Sequence, residues 1–464
     1  MKTVAVLGAG ITGLAAAWKL SEAGYNVHII EKEDKTGGMS SSIRLYDSVL
    51  DLGPHKIYSK LPVLQGVKLL LKDDLQVIPK YSRIRLFGKY FEYPLKLAEL
   101  ALNVSPVITV GIGTSYVLAA ARNKLLKPED KNYESYMVNR FGYKLYNYVF
   151  KSYAEKAWDT PSNLDASLAK SRIALPSLYE VIKGMLLGGK KGKELHAEQF
   201  YYPSKGIALF SKRMLEKSES HGGKLHLNAK IEKISLKHNK AVSITFRSGK
   251  NQKVTIQADY IVSTIPMRAL ASLLPDTPKS VVAGVNSLKC RSLALLYLNV
   301  RKDRLFKDNW IFFPEKKYIF NRISEQKGFS EHTVPEGSTV LCVEVTSPEK
   351  EKYTDTELFG LVVTQLEECG ILTKAQIAGH KFVNIENAYP IYRIGYKDEI
   401  MKFLEYLDNY QNMLSIGRQG LFNYVGMIDC VDMGFKAANF VKAGKGMSEW
   451  KKIREGFFNY ITVD

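Results

Sequence analysis

The stretch TVAVLGAGITGLAAAWKLSEAGYNVHIIEKE, residues 3–33, leaves few folds open. An apolar run meets a G-x-G-x-x-G turn, an Ala- and Leu-rich helical segment follows, and a second apolar run ends in an acid. Gly8 permits the sharp turn, Gly10 lets backbone approach a pyrophosphate, and Gly13 lets the helix pack on the strand. Ile11 and Thr12 open the helix, whose N-terminal amides then face the phosphates. Glu31 stands 21 residues after Gly10, where a carboxylate accepts hydrogen bonds from ribose hydroxyls. A lone glycine turn is weak evidence. Here strand, helix, second strand and acid agree on a dinucleotide.

The residues that follow narrow the choice. Lys32 and KTGGMSSS (35–42) place a second pair, Gly37 and Gly38, then Met39, directly after the acidic strand. This resembles the extended FAD signature of the amine oxidase and UDP-galactopyranose mutase superfamily. GGKLHLNAKIEKI (222–234) is similar to that superfamily's adenine-contacting strand, with Ile231 at the contact position. ADYIVSTIPM (258–267) is similar to its returning strand, with Thr264 beside the flavin. The resemblance implies FAD and an α/β fold. A Rossmann-like FAD-binding domain of the GR2 type is expected, with an inserted mixed α/β substrate domain and a helical cap. The FAD-binding pieces are expected at 1–80, 200–275 and 405–464, a helical insertion at 81–199 and a mixed-sheet substrate domain at 276–404. SYMVNRFGYKLYNYVFKSYAEKAW carries apolar and aromatic residues at helical spacing and reads as a helix capping the site.

Further motifs resemble the UDP-galactopyranose mutases specifically. Tyr153, Glu155, Lys156 and Trp158 match a Tyr-x-Glu-Lys-x-Trp segment, and Arg172 falls fourteen residues after the tryptophan, where the mutases place a substrate-binding arginine. GPHKIY (53–58) is similar to the mutase Gly-x-His-x-x-His loop and implies that His55 lies by the flavin. NRISEQKGF (321–329) implies a second phosphate-binding arginine, Arg322, and NAYPIY (387–392) a diphosphate-contacting Tyr389. GRQGLFNYVGM (417–427) implies Gly417, Arg418 and Met427 at the flavin, and Tyr424 at the diphosphate near the reacting carbon. The resemblance also implies attack of reduced flavin N5 on the anomeric carbon.

The residue types suit that chemistry. Arginine offers planar paired donors to phosphate oxygens, and tyrosine adds neutral donors. Phe150 and Tyr153 are expected to stack on the base. Taken singly, Trp158 reads equally as a domain-interface residue, His55 as a satisfied turn residue, and the two arginines as surface ion-pair groups. The match to the motif reads them as ligands. Departures from the mutases are plain: Tyr58 replaces the second loop histidine, Gly426 the acid expected two residues after Tyr424, and the nearest carboxylate is Asp429. A flavin oxidoreductase acting on an amine, porphyrinogen or lipid-like substrate therefore stands as the alternative to a UDP-, GDP- or dTDP-sugar mutase.

The formal net charge of +19 fits a polyanionic substrate, an anionic membrane or merely solvated lysines. No run of five Lys or Arg marks a nucleic-acid partner, and GGKKGKELH (188–196) reads as a solvated loop. Cys290, Cys342, Cys369 and Cys430 show no metal or redox spacing. They favour a cytoplasmic setting with no metal, and the immediate N-terminal strand favours no leader. LALNVSPVITVGIGTSYVLAAA (100–121) is uncharged, but its Asn, Ser, Pro and Thr make it a poor span. A buried helix pair, or a face lying on a membrane, is expected. NAD(P)H is a candidate reductant, and the chain is expected as a monomer or homodimer.

Overall fold

Five parallel strands form the sheet that holds the glycine turn, in the order Met413–Ser415, Tyr260–Ser263, Thr3–Leu7, Asn26–Ile30 and Lys224–His226. Helices cover both faces, so the inner strands read as unbroken apolar runs such as VAVL, fully buried. The first strand pairs with residues 26–30 on one side and 260–263 on the other. That is the switch point where such sheets open a crevice beyond their carboxyl ends. The helix Ile11–Glu22 lies on the sheet and meets the helix Met427–Ala443 at close range. A Cβ on Gly434 would stand 2.7 Å from the Thr12 carbonyl oxygen. The computed structural model describes residues 1–95, 97–172, 198–249, 251–349 and 351–461. The 188–196 cluster lies outside the described residues.

A second, seven-stranded sheet runs Ile377–Pro390, Cys290–Val300, Thr339–Pro348, Arg322–Glu325, Trp310–Phe312, Ser82–Leu86 and Lys89–Glu92. Its last two strands fall in the span expected to be helical. Ser82, Ile84 and Leu86 alternate inward, and this period of two seats the hairpin parallel to Trp310–Phe312.

The capping segment is three pieces rather than one helix: Tyr133–Leu145, a π-turn at Tyr146–Phe150, and Lys151–Ala157. Gly142 breaks the first with φ +75°, and the position requires glycine because the Ser115 carbonyl oxygen would lie 2.5 Å from any Cβ there. The uncharged stretch 100–121 is not a buried helix pair. It splits into Leu97–Asn103 and Pro106–Leu126, and in the second of these only Ile112 is fully buried. No described helix is long and apolar enough to cross a membrane.

Candidate active site

One cavity of about 1800 Å³ opens at the switch point and extends under the seven-stranded sheet. Its sheet-end wall is the glycine cradle: Gly8, Gly10, Ile11, Thr12, Glu31, Lys32, Gly37, Gly38, Met39, Ile231, Thr264, Arg418 and Met427 all line it. Gly8 has φ +95°, and a Cβ there would sit 2.7 Å from Thr264 Oγ1, which itself donates to the Leu7 carbonyl. Gly10 bridges to Gly37. Glu31 accepts the Ala9 amide at 2.7 Å and the Glu33 amide at 3.0 Å, so its carboxylate is fixed at the strand end. Two of the expected contacts stand behind the wall. Gly13 would put a Cβ 2.0 Å from the Gly8 carbonyl oxygen, and Gly417, at φ +84°, would put one 2.7 Å from Thr12 Oγ1. Both are needed for backbone approach, not for contact with a ligand. The buried Arg418 Nε has no protein partner among the described residues. An open glycine cradle beside an unpaired guanidinium donor fits a dinucleotide carrying a flavin.

Across the cavity, Arg172, Tyr424, Tyr389, Glu344 and Arg322 form a row. Arg172 ends the helix Ala166–Arg172, and its Cζ lies 3.3 Å from the centroid of the Tyr424 ring. Arg418 meets the same ring at 4.3 Å. Tyr424 and Tyr389 are 5.4 Å apart, centroid to centroid. Tyr389 donates to Glu344 Oε2 at 3.2 Å, and Glu344 takes Arg322 in a two-point pair at 2.5 and 2.9 Å. Burial alone would lower the Arg322 pKa, but Glu344, helped by the Tyr389 and Tyr153 phenols, outweighs it and holds the guanidinium charged well above its ordinary range. Burial, helped by Glu344, raises the Tyr389 phenol well above its ordinary range, so it stays a neutral donor. Phe150, Tyr153, Trp158 and His55 also line the cavity. His55 Nδ1–H donates to the Gly53 carbonyl at 3.0 Å. Burial, with Arg322 and Arg418 nearby, pushes its pKa down to about 4, so the ring is neutral.

Several supporting residues had no role assigned from the sequence. Glu344 is a lone acid inside the apolar run of strand Thr339–Pro348, and that interruption was its signal. Tyr392 accepts the Tyr424 amide at 2.7 Å and stacks on Tyr396 at 4.2 Å. Arg291 donates to the carbonyls of Trp158 and Glu155, closing the end of the helix Lys151–Ala157. Lys156 donates to the carbonyls of Phe313, Glu315 and Phe320 on the loop that leads into Arg322. Asp429 accepts the Gly426 amide at 2.9 Å in the cavity wall.

A family model described as flavin containing amine oxidoreductase matches residues 11–398. An L-amino-acid oxidase of Demansia vestigiata is 23% identical over 74% of this chain, which spans 65% of that relative's length. A probable UDP-galactopyranose mutase of Klebsiella pneumoniae is 25% identical over 36% of this chain and 44% of its own. The solved structure of reduced UDP-galactopyranose mutase superposes with a TM-score of 0.83 over 96% of both chains, at 22% identity. At that identity the likeness carries the fold.

Proposed function

The chain belongs to the flavin containing amine oxidoreductase family, and within it we propose that it interconverts the pyranose and furanose forms of a nucleoside diphosphate sugar. One observation carries the reading. Arg172 and Arg322, 150 residues apart in sequence, reach one cavity with the dinucleotide cradle and are separated there by Tyr424 and Tyr389. Arg172, Arg418 and Arg322 with Glu344 leave a formal charge of about +2, the match of a diphosphate diester. The glycines, Glu31, Ile231 and Arg418 would hold FAD. The chemistry that FAD brings to this pocket, when bound and reduced, is a nucleophilic ring nitrogen for the anomeric carbon.

The protein's own part is positioning and charge. Arg172 and Tyr424 receive one phosphate and Tyr389 with Arg322 the other, so the diphosphate stays within reach after its bond to the sugar breaks. Glu344 holds Arg322 and Tyr389 in register before substrate enters. Neutral His55 adds no charge that would compete for the phosphates. Phe150 and Tyr153 offer faces to a base. The experiment is a panel of UDP-, GDP- and dTDP-sugars incubated with the dithionite-reduced protein and resolved by chromatography. Furanose product without stoichiometric reductant supports the reading.

A second reading is oxidation of an amine, porphyrinogen or lipid-like substrate. The Glu344–Arg322 pair favours it, because it neutralises one of the two arginines in the ligand-free chain. Sustained oxygen uptake with such a substrate, and no sugar isomerisation across the panel, would make this the correct reading.

A further inference from the structure

Among the described residues, seven of the sixteen exposed large apolar side chains fall between Leu102 and Leu126. Among the described residues the packing that holds the helix Pro106–Leu126 comes from buried Ile112, half-buried Ile108 and the close approach of Ser115 to Gly142. The helix also presents Val107, Val110, Val117, Leu118 and Leu125, with Val107 82% and Leu125 79% exposed. At 100° per residue these fall on one face about 27 Å long. Thr114, the polar residue on that face, turns its hydroxyl into the helix and donates to the Val110 carbonyl at 2.9 Å. The helix contains no Asp or Glu. Its charged residues, Arg122 and Lys124, fall on opposite sides of the Leu118–Leu125 line, and exposed Lys127 closes the end.

We propose that this face docks on an anionic lipid bilayer. The helix lies in the headgroup plane, the valines and leucines enter the acyl boundary, and Arg122, Lys124 and Lys127 meet lipid phosphates. An apolar strip of this extent is unusual on a freely soluble surface. A strip flanked by bases and free of acids has the composition of an interfacial helix, and no described helix spans. Charge decides between occupants. A second copy would bring two chains of net charge +19 together, whereas an anionic leaflet attracts each basic side chain near it. The inference is independent of the reaction proposed above.

The test uses the full, FAD-loaded chain. It is expected to sediment with vesicles of equal parts phosphatidylglycerol and phosphatidylcholine, and not with phosphatidylcholine alone. Binding weakens in about 0.5 M salt, where screening is strong. The double substitution Val117→Asp/Leu118→Asp, on exposed positions, is expected to cut vesicle binding about tenfold or more while flavin content stays unchanged. Arg122→Glu/Lys124→Glu is expected to remove the preference for anionic lipid. Failure of the wild-type chain to sediment, or equal sedimentation of the Val117→Asp/Leu118→Asp variant, overturns the proposal. So does a vesicle-independent dimer, seen by light scattering and broken by the same substitutions, since a second copy then covers the face.

Discussion

The guanidinium carbon of Arg172 lies 3.3 Å from the centroid of the Tyr424 ring, whose surroundings also include Arg418 at 4.3 Å. The ring is therefore held by cations from two distant segments, and its hydroxyl is aimed by that packing and by the Tyr392 anchor on its backbone. Arg172→Ala removes both a phosphate donor and this packing. Its kcat/KM on the nucleotide sugar is expected to fall by about 100-fold or more, the usual scale for losing one preorganised donor. FAD content, read from the flavin absorbance of the purified protein, is expected to be unchanged. Loss of flavin in this variant would move Arg172 to the cofactor side.

The Arg322–Glu344 pair is buried and two-pronged. Breaking it from one side strands a charge, so Arg322→Ala is expected to lower unfolding free energy by about 3 kcal/mol. Replacing both with neutral groups of similar shape, Arg322→Met with Glu344→Gln, is expected to restore most of that loss in urea denaturation. Turnover is not restored, because the phosphate donor is gone. If the double variant is as unstable as Arg322→Ala, the pair is not the source of the effect.

His55 gives a pH dependence with a definite sign. Its folded pKa of about 4 lies below the ordinary 6.5, so the unfolded chain binds the proton more readily. The stability linked to His55 is whole above pH 6.5 and is lost as pH falls toward 4. Asp51 acts in the opposite sense: burial raises it from 3.8 to about 6, so its contribution is whole below pH 3.8 and is lost as pH rises through 6. The two are separated by difference. His55→Gln is expected to remove the rise between pH 4 and 6.5 and leave the Asp51 fall unopposed, so the variant's unfolding midpoint declines with rising pH in this window relative to the wild type. Parallel curves for the two proteins would show that His55 does not titrate in this window.

The glycine cradle gives the sharpest test of cofactor binding. Gly8 sits at φ +95° with Thr264 Oγ1 2.7 Å from any added Cβ, and Gly13 faces the Gly8 carbonyl at 2.0 Å. Neither neighbour can yield without moving the turn. Gly8→Ala and Gly13→Ala are each expected to give colourless protein. Gly24→Ala, with positive φ on the surface and open space around it, is expected to keep its flavin at a small cost in stability.

The parallel sheet and its turn were legible because local signals agreed: apolar runs, glycines at fixed spacing and a terminal acid. The row Arg172–Tyr424–Tyr389–Arg322 was approachable because each member sits in a short motif that can be recognised alone. Glu344 was not, since a counter-charge is defined by what faces it across the cavity rather than by its neighbours in sequence. The hairpin Ser82–Leu86/Lys89–Glu92 was missed for a related reason. Two short strands among helical segments declare themselves only when Trp310–Phe312 supplies the edge they pair with. The helix Pro106–Leu126 reads as a core element by composition. Its exposure is a property of the surrounding packing, which periodicity does not encode.

Lys156 links the aromatic segment to the second arginine. Its ammonium donates to Phe313 O at 2.6 Å, Phe320 O at 2.7 Å and Glu315 O at 3.2 Å, two residues and more ahead of Arg322. Burial pushes its pKa down to about 7, opposed by Glu315. Below about pH 7 the ammonium matches the three carbonyl acceptors with three N–H donors. Lys156 is thus a positioning residue: it ties the helix bearing Tyr153 to the loop that delivers Arg322. Lys156→Met leaves three carbonyls without their donor and is expected to cost about 2–3 kcal/mol in urea unfolding. With Arg322 loosened, kcat/KM is expected to fall while flavin content holds. The folded pKa lies below the ordinary 10.5, so the stability linked to Lys156 grows as pH rises from 7 toward 10.5, and Lys156→Met is expected to lose that rise. Equal pH slopes in the two proteins, with unaltered turnover, would show that the loop keeps Arg322 in place without the lysine.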